Sequence, residues 1–241
     1  MEESSQPLRH VKEESIHVKS YKTIEKDIRK GFIIKVYALL CIQLALTFFF
    51  IFLANEIKYL RAFILYHSWL YYFILLIPLA ILIYFVIDTK MTRIVPINYI
   101  LLFIFTISEG YTVARFTLGF RRVSVYTSML LTLIAVITLT LFAIYTNAET
   151  EIDISFGIFW VMYVITVFAL FFIAIFRLSF FYTFLNIFGI IIFSFYILID
   201  TQLIIGNRSI SVSIDDYILG VILLYLDIIN IFMYILMTSK K

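Results

Sequence analysis

Two stretches near the C-terminus decide the fold: FSFYILIDTQLIIG at residues 193–206 and DDYILGVILLYLDIINIFMYIL at residues 215–236. Each is an apolar run with one aspartate embedded in it, Asp200 in the first and Asp227 in the second. About 20 residues at 1.5 Å rise cross a ~30 Å hydrocarbon core, and a helix satisfies its own backbone hydrogen bonds where no water is present. Working outward, comparable runs lie at residues 33–54, 69–87, 94–118, 123–145, 156–176, 180–204 and 216–237. Polar clusters separate them: Asn55 to Lys58, Asp88 to Lys90, Arg121 and Arg122, Asn147 to Asp153, Arg177, and Gly206 to Asp216. The pattern predicts an all-α integral membrane protein, a bundle of seven transmembrane helices over residues 32–241, with the last either spanning or re-entrant. Pro78 predicts a mild kink in the second helix and Pro96 a first-turn position in the third.

Composition agrees with that reading. Of 241 residues, 63% are hydrophobic and only 15% charged, against about 45–50% and about 25% in soluble domains. Mean hydropathy is +1.03, so water is not the main solvent. Once the spans are subtracted, no second folded domain fits. The net charge of +3 is spread along the chain, without the basic stripe that binds nucleic acid. Cys41 is the only cysteine, which excludes an intramolecular disulfide and a cysteine-based metal cluster.

Residues 1–31 are polar and lack an apolar signal-peptide core, so the first span is expected to act as its own insertion signal. The segment is expected to be a solvated, largely disordered cytosolic tail. Charge bias supports that orientation. Lys19, Lys22, Lys26, Arg29, Lys30, Lys35, Lys90, Arg93 and Arg208 fall on the tail side, and Lys58, Arg61, Arg115, Arg121, Arg122 and Arg177 on the other. Lys240 and Lys241 reinforce the bias if the last run is re-entrant and dilute it if that run crosses. Charge therefore leans towards re-entry, whereas length favours crossing.

The acids inside the runs carry the chemical information. An aspartate at the centre of a membrane helix costs about 2.5–3.5 kcal/mol, against about 0.3–0.6 gained per Leu, Ile, Phe or Val. Glu109, Asp200 and Asp227 are such residues, and intramembrane acids normally pair, relay protons or line an ion route. The plain alternative is a structural network in which hydroxyl or amide neighbours satisfy each carboxyl. Helical spacing offers Tyr196 as a donor near Asp200 and Asn230 near Asp227. If the two aspartates meet, they cannot both ionise cheaply, and a shared proton makes the pair a pH-dependent latch with two coupled titrations. A simple hairpin leaves them several ångströms out of register, so their meeting requires an asymmetric or bent connection. Asp215 and Asp216 stand where negative charge favours a helix N-terminus.

Other chemistries find little purchase. His10, His17 and His67 lie away from the buried acids, which argues against an intramembrane zinc hydrolase. No nucleophile-elbow, dinucleotide or P-loop string occurs. An intramembrane aspartic protease would also use two aspartates, but Asp200 is followed by Thr201 and Gln202 and the strings expected around such a dyad are missing. No enzyme and no cofactor is expected.

With these residues in view, Phe193–Gly206 and Asp215–Leu236 resemble the last two helices of the transmembrane Bax inhibitor motif family, also called Lifeguard. RKGFIIKVYALLCIQLALT, Arg29–Thr47, is similar to the start of the family's first helix. FTISEGYTVA, Phe105–Ala114, is closer to the Golgi anti-apoptotic protein branch, which has a glutamate at the place of Glu109. The resemblance covers about residues 29–238. It implies a protein of Golgi or endoplasmic reticulum membranes that leaks calcium from stores and restrains apoptosis. It also implies that Asp200 and Asp227 form a pH-sensitive gate, binding calcium transiently, with no fixed metal site. Glu109 is a candidate for the ion path, with Tyr196, Asn230, Asp215 and Asp216 as support. Some members pair the gate with an arginine of the second helix; Arg61, the only arginine near that run, cannot carry the role over. The implied partners are calcium as permeant ion, the bilayer and apoptosis-related membrane proteins. A non-conducting anti-apoptotic scaffold acting through protein partners is the rival. The Ile, Phe, Tyr and Lys bias suits an A/T-rich genome, such as that of a virus carrying a copy of a host survival factor.

Overall fold

The computed structural model describes residues 6–145, 180–206 and 213–238. Within them lie seven α-helices: α1 Gln6–Glu56, α2 Lys58–Tyr66, α3 Ser68–Ile87, α4 Ile97–Thr117, α5 Arg122–Tyr145, α6 Phe180–Ile205 and α7 Tyr217–Thr238. Six stretches are long and apolar enough to cross a membrane: Asp27–Glu56, Ser68–Phe85, Ile97–Thr117, Arg122–Leu141, Phe184–Ile205 and Ile214–Thr238. They match six of the seven expected runs; the run at 156–176 lies outside the described residues. The protein is thus an all-α integral membrane protein.

One departure is the tail. Residues 6–31, expected to be largely disordered, continue α1 outward as helix. Pro7 falls in the first turn, where a missing N–H costs nothing, and no glycine or proline interrupts the helix again before Gly31. A second addition is α2, a short helix in the stretch between the first two expected runs. It buries only Ile64, while Tyr59, Phe63 and Tyr66 stay exposed.

Apolar burial gives helices in lipid no driving force to associate, so close packing and polar contacts hold them together. α7 is the axis: Ile218, Val221, Ile222, Tyr225, Ile229, Ile231 and Phe232 are almost wholly buried, and it packs on α1, α4, α5 and α6. α3 and α5 sit at the periphery and present Trp69, Tyr72, Phe73, Leu130 and Ile134 outward. α6 and α7 form the most extensive interface. A Cβ at Gly189 would lie 2.5 Å from the Tyr234 ring, so only glycine allows the two helices to come this close.

Polar contacts define the two ends. At the tail end, Arg29 Nη2 donates to the Leu203 carbonyl at 2.6 Å, Arg93 pairs with Asp216, and Asn98 Nδ2 donates to the Tyr217 hydroxyl at 3.1 Å. At the far end, Arg122 and Tyr126 both donate to Glu56, and Asn55 Nδ2 donates to Thr117 Oγ1. α7 starts beside Arg93, and its last turn, with Ile235 and Thr238, lines a groove with Val123 and Ser124 at the start of α5. It therefore runs the full length of the bundle, the course of a crossing helix, against the lean of the charge bias.

Candidate functional site

Asp200 and Asp227 lie on facing sides of α6 and α7, and their carboxyls come within reach of each other. Two carboxyls bond to each other only when a proton lies between them. Asp227 is 7% exposed, and no donor among the described residues reaches its buried Oδ2. The register problem is solved by an overhang. α6 ends at Ile205, five residues past Asp200, whereas α7 begins at Tyr217, ten residues before Asp227. At 1.5 Å per residue α7 thus projects roughly 7 Å beyond α6 at the tail end. Gly206, at φ +80°, ends α6 in the left-handed region and turns the chain away. The overhang is anchored by Asp216, which accepts from Arg93 Nε at 2.7 Å and Nη2 at 2.8 Å and from Thr92 Oγ1 at 3.2 Å. These bonds and the charge of Asp216 raise the pKa of Arg93 above its ordinary value, with a smaller attraction from Asp215. Asp216 is therefore an anchor at the end of the bundle, and Asp215 is exposed.

The two donors expected beside the aspartates go elsewhere. Tyr196 is 49% exposed and packs edge-on against Phe193, on the outer face of α6. Asn230 Nδ2 donates back to the Leu226 carbonyl of its own helix at 2.8 Å. Spacing along one helix gives a residue's neighbours but not the direction in which their side chains find partners. The polar contacts at this end of α6 come instead from α1 and α5. The Tyr37 hydroxyl lies between Thr201, at 3.5 Å, and Thr140. Arg29 caps the C-terminal carbonyls of α6 at Leu203 and fills the space beside Gly206, one turn beyond Asp200.

Glu109 does not join the aspartates. It is half-buried on α4, within electrostatic reach of the Tyr225 hydroxyl. Tyr225 precedes Asp227 by two residues and so points about 200° away around α7. The polar residues on that side, Gln43, Thr47, Thr106 and Tyr225, carry no charge and were missed in the sequence. The signal was the i, i+4 spacing of Gln43 with Thr47 and of Thr106 with Gly110, in helices that are otherwise apolar. Among the described residues no group of three or more His, Cys, Asp or Glu converges to hold a metal ion.

Comparison with known proteins gives the architecture its kin. Residues 29–239 match the family model described as inhibitor of apoptosis-promoting Bax1. The chain is 29% identical to protein lifeguard 3 of Homo sapiens and 30% identical to that of Mus musculus, in each case over 88% of this chain and 69% of the relative. It is 28% identical to Bax inhibitor 1 of Saccharomyces cerevisiae, over 88% of this chain and 82% of that protein. No solved structure matches. A family match that starts at Arg29 and runs past the second aspartate helix takes in the whole membrane bundle, and the chain belongs to the Bax inhibitor family.

Proposed function

We propose that the protein is a pH-sensitive cation leak that lets calcium run down its gradient out of a Golgi or endoplasmic reticulum store, with its N-terminal end in the cytosol. The leak lowers store calcium and thereby inhibits apoptosis, in keeping with the names carried by its relatives. The observation that carries this reading is the meeting of Asp200 and Asp227 across the α6–α7 interface. With one proton between them, the carboxyls bridge the two helices and the route is shut. With both ionised, unit charges about 4 Å apart at an effective dielectric constant of about 20 repel by on the order of 4 kcal/mol. That is several times thermal energy, so the helices part or a cation enters between the carboxylates. Carboxylate oxygens suit a hard cation because they replace its lost hydration. Arg29 and Tyr37 of α1 contact this end of α6 at the Leu203 carbonyl and Thr201, so they hold the helix and leave the pair to each other.

The test is calcium flux from liposomes holding the full chain, measured over a pH series beside Asp200→Asn and Asp227→Asn. Wild-type flux is expected to rise with pH, because deprotonation removes the bridge. Both variants alter the flux and flatten its pH response, since an amide can neither share nor lose the proton. Unchanged profiles in both variants would overturn the gate and leave a scaffold acting through protein partners as the better account.

A further inference from the structure

Beyond the aspartate gate, the opposite face of α7 holds a second polar cluster whose hydrogens are already committed. Thr47 Oγ1 donates to the Gln43 carbonyl at 2.9 Å, so in its 2.7 Å contact with Tyr225 the tyrosine hydroxyl is the donor. Thr106 Oγ1 donates to the Leu102 carbonyl at 2.7 Å, so Gln43 must present its amide nitrogen to Thr106 Oγ1, also at 2.7 Å. That orientation leaves Gln43 Oε1 as a buried acceptor without a donor, on a side chain only 3% exposed. Glu109 lies one turn along α4 from Thr106, within electrostatic reach of Tyr225, and no described residue gives it a hydrogen bond or an ion pair. α4 comes close to α1 here: a Cβ at Gly110 would lie 3.2 Å from the Phe50 ring and 3.7 Å from the Thr47 Cα. What the seam between α1, α4 and α7 offers is therefore oxygen: a carboxylate, an amide oxygen, and the remaining lone pairs of two hydroxyls.

We infer that Glu109, Gln43, Thr47 and Tyr225 form a second hard-cation site, separated from the Asp200–Asp227 pair by the body of α7. A buried amide oxygen without a donor and a carboxylate within electrostatic reach of the same cluster's tyrosine are both costly in a membrane interior, and a cation drawn into the seam would satisfy both. Oxygen ligands without nitrogen or sulfur select calcium, sodium or magnesium rather than a transition metal. A single carboxylate sets a weak affinity, of the order of 10⁻⁴–10⁻³ M for calcium, which suits an ion that must leave again.

The experiment is equilibrium binding of calcium alone to the full chain in lipid nanodiscs. The double variant Asp200→Asn, Asp227→Asn is expected to keep one saturable site. Adding Glu109→Gln weakens that site by about tenfold or more, and Gln43→Leu weakens it too, whereas Glu109→Asp retains it. At any given calcium concentration calcium also raises the melting temperature of the double variant by more than that of the triple, as mass action requires. If the double variant fails to fold, Glu109→Gln in the wild-type chain must lower the calcium bound by one ion per chain. Equal binding in double and triple variants overturns the site. So does a double variant that binds no calcium at any pH of the series, the behaviour of a Glu109 that simply keeps its proton. Binding is read without flux, so loss of the leak reading and loss of this site are separate outcomes.

Discussion

A carboxyl in a lipid-crossing helix has to be neutralised, paired or hydrated, and the neighbours of each acid decide which. Asp227 is buried, and the group it meets across the interface is a second acid, so a proton is the neutralising agent closest to hand. Asp216 is at the end of the bundle and meets a guanidinium in a two-pronged bond, with its side chain 18% exposed and that of Arg93 47% exposed. Such an exposed pair is worth about 0.2–1 kcal/mol. A double-mutant cycle on Arg93→Ala and Asp216→Ala is expected to return a coupling in that range by chemical denaturation; several kcal/mol would mean that the overhang of α7 depends on it. The aspartates themselves were legible in the sequence, because an acid in an apolar run announces its cost. Their supporting residues were not. Tyr196 and Asn230 have the right spacing, but a tyrosine on the outer face of α6 and an amide bonded to its own helix leave the aspartate pair alone. Tyr196→Phe and Asn230→Ala are accordingly expected to leave the pH profile of calcium flux unshifted, and a shift in either returns that residue to the gate.

Helices were legible wherever the apolar run exceeded membrane thickness, since length alone decides that a run crosses. The helical stretch before Gly31 and the short α2 were not, because the first has no apolar run and the second has one of only five residues, Ala62–Tyr66, too short to cross a membrane. How two helices meet was also hidden, and Gly189 shows why. A lone glycine matches no Gly-x-x-x-Gly pattern, yet it admits the Tyr234 ring, which in turn stacks on Phe193 at 5.8 Å. Gly189→Ala gains about 1 kcal/mol of helix propensity and costs about 1–3 kcal/mol in overpacking. The contact at 2.5 Å and the Phe193 stack hinder the ring from swinging aside, so a net loss of up to about 2 kcal/mol is expected. Tyr234→Ala added to Gly189→Ala removes the clash. Thermal melts should therefore show a smaller loss for the pair than the two single losses added together. Strict additivity would mean that the α6–α7 spacing does not depend on this contact.

At the scale of the whole molecule, α7 is both the most buried span and the wall between two sets of buried oxygens, so where it ends determines the meaning of everything around it. Charge bias could not settle that point, because Lys240 and Lys241 change sides with the answer. Packing favours crossing: α7 leaves Asp216 beside Arg93 at one end and brings Thr238 beside Val123 and Ser124 at the other. Membrane sidedness follows directly. With Cys41 replaced by serine to clear the background, Lys90→Cys and Ser213→Cys, both at exposed positions of the tail end, should react with a membrane-impermeant thiol reagent from the same side. Arg121→Cys and Thr238→Cys, exposed at the far end, should react only from the opposite side. Thr238→Cys labelling together with Ser213→Cys would make the last helix re-entrant. Asp227 would then sit near the bend of a half-crossing helix instead of midway along a full one, and a gate built from that aspartate would have no second compartment to open onto.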